Sequence, residues 1–251
     1  MASKPIPLSP LERINLKITR AEQHLSDLRR ALTGYLESQP YGAMYEYDPS
    51  YGSRVRGLRI TEHPPPGFAA YVGDCLHNLR SALDYLAWEL VLAAGQTPND
   101  RTEFPIFSEP LKYSKAASIR LTGVSPAPLA TVEALQPYHN GQSFADHPLW
   151  ILHRLSILDK HRSLLLAGAW VEGADLFTVG SRVDPNTWTT VFVRPTALEP
   201  DVDLLDYARR SFFVTLQQTE IAPRRPVVEV LAELVQFVRD SVLPELEPFL
   251  R

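Results

Sequence analysis

The stretch "LSPLERINLKITRAEQHLSDLRRALTGYLES" admits few folds. Leu11, Ile14, Ile18, Ala21, Leu25, Leu28, Leu32 and Tyr35 recur at spacings of three and four, which draws one narrow apolar seam along an otherwise charged helix. A helix of this kind cannot bury its seam alone. It needs a second helix, supplied either by its own chain in a bundle or by another copy in a dimer. Ser9, Pro10 and Glu12 mark its start with an N-cap, a first-turn proline and a capping-box carboxylate.

Further helices are expected over 68–94, 149–167 and 226–243, each with apolar residues on one face. Two tyrosines, Tyr45 and Tyr47, and the run Val55 to Ile60 flank "DPSYGS" and predict a β-hairpin insertion over 42–62. The texture changes again over 170–220, where "DLFTVGSR", "TWTTVFVRP" and "SFFVTLQQTEIA" read as strands of a small C-terminal antiparallel sheet. Residues 99–148 are proline-rich, with short helices expected near 110–120 and 127–135. Phe104, Ile106, Phe107 and Leu111 make that region too apolar for a flexible linker. The expected architecture is therefore α+β: a bundle of about four long helices (10–38, 68–94, 149–167, 226–243) with β insertions, in a single domain over 1–251.

Bulk properties narrow the function classes. With 45% hydrophobic and 22% charged residues and a net charge of −4, the chain has no global basic field that would attract nucleic acid. The N-terminus lacks the apolar core of a signal peptide and no apolar run approaches the roughly 20 residues of a membrane span, so a cytoplasmic location is expected. The one cysteine, Cys75, reads as a small buried hydrophobe. The 7 histidines show no metal-binding spacing, and no nucleophile elbow, phosphate loop or dinucleotide fingerprint occurs, so neither a metal nor another cofactor is expected.

What stands out is polar. In "HNLRSALDYLAWEL", Leu79, Leu83, Leu86 and Leu90 form an ordinary core stripe, while His77, Arg80 and Asp84 rise in a second stripe followed by Trp88. Trp88, Val91 and Leu92 on that side are expected to be covered. In "WILHRLSILDKHRSLLL", Arg162 falls amid Ile151, Leu155, Leu158 and Leu165, which calls for a carboxylate partner, Asp84 or Asp159. Arg154 and His161 are seven apart and stack within about 20° of each other on a helix. The two helices are expected to pair through these charges, with Asn78, Asp84, Asp159 and Arg162 as a structural polar cluster. The hairpin also interleaves tyrosines with Arg54, Arg56 and Arg59, a pattern that suits single-stranded nucleic acid but equally a solvated hairpin.

The segments "GDCLHNLRSALDYLAWEL", "EFPIF", "LQPY" and "LDKHR", in that order over roughly residues 70–166, resemble a group of uncharacterised bacterial proteins. A more distant similarity is to the HEPN ribonucleases, small helical bundles carrying an arginine, four to six residues, then a histidine. Arg154 and His161 have six residues between them, although Leu155 stands where HEPN motifs usually place a polar residue. The resemblance implies metal-independent RNA cleavage: a histidine assists attack of the ribose 2′-hydroxyl while arginine stabilises the charge on phosphorus. It points to Arg154 and His161 as catalytic candidates, to which the polar stripe adds His77 and Arg80, although Tyr85 stands where a histidine would follow Arg80. The resemblance also implies RNA as a partner and a homodimer through the N-terminal heptad helix. The alternative is a non-enzymatic binding or scaffold protein whose Arg/Asp/His cluster is structural.

Overall fold

A computed structural model describes residues 8–48, 53–161, 164, 166–170, 178–184, 187–193, 209, 212–216, 221–223 and 225–250. Helix α1 spans Pro10–Glu37 and begins with the capping box: the Glu12 amide donates to Ser9 Oγ and the Ser9 amide to the Glu12 carboxylate. Strands β1 (Tyr41–Asp48) and β2 (Ser53–Ile60) follow, then α2 (Gly67–Ala93), α3 (Pro110–Arg120), α4 (Pro126–Ala134), a kinked 3₁₀ stretch (Pro137–Asp146) and α5 (Pro148–His161). After α5 come β3 (Leu166–Trp170), β4 (Thr178–Asp184), β5 (Thr187–Val193) and β6 (Phe212–Leu216), and finally α6 (Val227–Phe237). The chain is mostly helical with small antiparallel sheets, an α+β architecture.

The seam of α1 is spent inside the chain. Ile14, Ile18, Ala21, Leu25, Leu28, Leu32 and Tyr35 are all buried. Tyr35 packs edge-on to Phe68 at 6.0 Å, His24 Nδ1 lies 3.9 Å from Asp74, and Arg13 pairs with Glu89. Helices α1 and α2 therefore run antiparallel, and the seam is not a free surface for a dimer. Helix α5 crosses α2 in the opposite sense and buries Ile151, Leu155 and Leu158. The Arg13–Glu89 pair resolves a local conflict, because Glu89 is buried on the apolar side of α2 and needs a cation beside it.

Four expectations change. The helix expected over 149–167 ends, among the described residues, at His161, and "LAGAW" supplies strand β3, which pairs with β6 from Leu166 against Leu216 to Trp170 against Phe212. Gly168 permits that pairing: a Cβ there would lie 2.5 Å from the Phe212 ring. The hairpin and the C-terminal strands do not form separate insertions, since β2 pairs with β5 in one sheet of order β1-β2-β5-β4. The C-terminal helix is interrupted by a π turn, Val238–Val242, before a last turn Leu243–Leu246, and only α1 and α2, at 28 and 27 residues, are long. Trp88 and Leu92 are not covered but 41% and 44% exposed, whereas Val91 beside them is buried.

The proline-rich segment is ordered around apolar anchors. Phe104 and Ile106 are buried, whereas Leu111 is 78% exposed and anchors nothing.

Candidate functional site

Two polar groups lie along the α2–α5 contact, one at each end. The first is built on Phe104, whose buried ring draws its own backbone into the interior, where both peptide groups need partners. One turn of α2 supplies them. Arg80 Nη2 donates to the Phe104 carbonyl at 2.7 Å and to Asp84 Oδ1 at 2.8 Å, and the same Asp84 oxygen accepts the Phe104 amide at 3.0 Å. Glu103 stands 3.7 Å from Arg80 and pairs with Arg120 at 2.6 Å, and the Arg120 guanidinium lies over the Phe107 ring at 5.1 Å. From the far side, the fully buried Gln136 accepts the Phe107 amide at 3.1 Å and donates to the carbonyls of Pro105 at 2.9 Å and Val132 at 3.0 Å. The loop is thus clamped residue by residue. Arg80 Nη1 is buried without a hydrogen-bond partner, and burial raises the Asp84 carboxyl against the opposing pull of Arg80.

His153, on the α5 side of this group, lies 5.8 Å from the Trp150 ring. Burial, with the charges of Arg80, Arg120, Arg154 and Lys160 behind it, depresses its pKa to about 4. A histidine so depressed binds its proton less readily when folded than when unfolded, so it destabilises the fold as pH drops. Stability should be complete above about pH 6.5 and fall toward pH 4. Urea titrations between about pH 7 and about pH 5 should show His153→Phe losing less stability on acidification than the parent chain. Identical losses would show that this imidazole protonates freely in the fold.

The second group answers why "GDCLHNLRSALD" and "LDKHR" occur in one chain. The Asp159 carboxylate sits against the backbone of Gly73, where a Cβ would come within 2.7 Å of Oδ1 and 2.8 Å of Oδ2. A helix-interior glycine costs about 1 kcal/mol relative to alanine, and here it makes the room for a carboxylate. Asp74 and His77 flank Asp159, whose carboxyl is raised first by burial and then by the Asp74 charge, against His77. Asp74 in turn faces His24, and Asn78 Nδ2 donates to the Asp74 carbonyl at 2.8 Å within the helix. Asp159 makes no hydrogen bond or ion pair with any described residue. It forms the polar edge of a cleft of about 410 Å³ with walls that include Pro64, Pro66, Ala70, Leu164 and Leu166.

The sequence candidates therefore separate. Arg80 and Asp84 belong to the loop clamp; His77, Asn78 and Asp159 belong to the second group. Arg154 is half-buried beside His153, and His161 is exposed in the last turn of α5; neither bonds to a described residue. Arg162 lies outside the described residues, as do the side chains of Arg54, Arg56 and Arg59. The Asp159 cleft is lined by none of His77, Arg80, Arg154 and His161. Cys75 is buried, and burial pushes its thiol up to about 12, so it is not a nucleophile.

Comparison with family models, curated proteins and solved structures finds no match to this chain. Among the described residues, no group of three or more His, Cys, Asp or Glu side chains could hold a metal ion, and no helix is long and apolar enough to cross a membrane. Sequence reasoning missed Gly73, Asp74, Glu103, Arg120, Gln136 and His153. Gly73 had a signal, a glycine inside a strong helical pattern, which often marks a close approach. Gln136 had its place beside a proline in the segment "LQPY", which gave no hint of its role.

Proposed function

We propose that this chain is a non-enzymatic binding protein whose Arg80–Asp84 pair is structural. The observation that supports this reading is the use of the pair: Arg80 Nη2 and Asp84 Oδ1 are committed to the two backbone groups of Phe104 and so are withheld from any substrate. A catalytic arginine must meet developing charge with its donors free. Here Nη2 serves the loop, and Nη1 is buried away from solvent.

A metal-independent ribonuclease of HEPN type, alone or as a homodimer, is the second reading. It is favoured by one fact: Arg154 and His161, seven apart on α5, carry no bond to a described residue and so keep their donors for a ligand. One assay separates the two. Purified protein is incubated with labelled RNA in EDTA, beside His161→Ala and Arg154→Ala. The binding reading expects intact RNA throughout. Cleavage by the parent chain that is lost in both variants, with unchanged melts, overturns it and installs the nuclease, for which general acid–base work typically supplies roughly 10²–10⁴-fold.

A further inference from the structure

The Asp159 cleft combines three properties that define a ligand class. Its volume of about 410 Å³ suits a small molecule. Its walls are hydrocarbon: the proline run at 64–66, two alanines, Leu164 and Leu166. Among the described residues, its polar edge is the half-buried Asp159 carboxylate, which makes no hydrogen bond to a described residue and fits the space left by the missing side chain of Gly73. A carboxylate partly withdrawn from water is stabilised by a cation able to donate a hydrogen bond. Among the described residues, Asp74 and His77 act on its charge, and His24 lies beyond Asp74. His77 is exposed and Asp74 adds negative potential, so the immediate surroundings favour an incoming positive charge.

We infer that this cleft, between the start of α2, the end of α5 and the start of β3, binds a small organic cation, an ammonium group on an apolar body, with Asp159 as its counter-ion. The inference rests on the binding reading and gives it a ligand class. Ligand titration and RNA cleavage are read separately, so either proposal fails without the other.

The test is an amide NMR titration of the full chain with three probes of matched shape: benzylammonium, benzyl alcohol and benzoate. Benzylammonium should shift the amides of Ala69, Ala70, Asp159, Leu164 and Leu166 and bind roughly tenfold more tightly than benzyl alcohol, the contribution of one charged hydrogen bond. Benzoate should leave those amides unmoved. Asp159→Asn should remove the preference for the ammonium over the alcohol, and Ala70→Leu, which narrows the cleft at an exposed wall position, should weaken both. Equal affinity for all three probes, shifts confined to other surfaces, or an unaltered preference in Asp159→Asn would overturn the assignment. If Asp159→Asn melts early, Ala70→Leu decides: weaker binding of both probes supports the cleft, and unchanged affinities overturn it.

Discussion

Asp84→Ala is expected to lose about 3 kcal/mol of stability, the low end of the cost of stripping the partner from a buried charge. In a chain of this size that corresponds to a drop of roughly 6–12 °C in the melting midpoint. The side chain of Arg80 is 10% exposed, and Asp84 is its close carboxylate, while Glu103 at 3.7 Å compensates in part. The substitution also strands the Phe104 amide, whose acceptor is Asp84 Oδ1. Asp84→Asn keeps that acceptor and removes only the charge, so its midpoint should fall between the parent and the alanine variant. Midpoints that coincide for all three proteins would mean that the guanidinium is solvated and the clamp is not structural.

Gln136→Leu should cost a similar amount, about 2–4 kcal/mol, although it preserves volume and adds hydrophobicity. The reason is the partners it leaves behind. The Phe107 amide and the Pro105 carbonyl depend on the Gln136 amide, which is wholly buried, and leucine satisfies neither. Local opening should follow, so hydrogen exchange at the Phe107 amide should accelerate more than at amides within α2. An unaltered Phe107 exchange rate would show that the loop is held by its apolar anchors alone.

These two substitutions bear on one idea: residues that looked chemical in the sequence hold an irregular segment inside the core. Residues 104–107 run against the core outside any helix or strand, so polar side chains from α2 and from Gln136 satisfy their backbone. Nothing in the spacing of Arg80 and Asp84 announces this role. An Arg–x₃–Asp stripe is equally a surface ion pair, a register device or part of a catalytic site, and the choice depends on a loop 20 residues away in sequence.

The sequence by itself determined α1 and α2. The heptad seam of α1, its capping box and the leucine stripe of α2 depend on contacts within a turn or two, so their periodicity and caps mark them directly. It also implied that the α2 and α5 stretches meet, because each carries charge that it cannot satisfy alone. Tertiary structure decided the rest. Strand β3 was hidden in a leucine run that suits helix or strand, and only its pairing with β6 selects the strand. The union of β2 with β5 in one sheet joins segments over 120 residues apart, a pairing that local propensity cannot encode. The Asp159 cleft exists because a glycine on one helix faces a carboxylate on another, and that coincidence of two surfaces arises only when the helices pack.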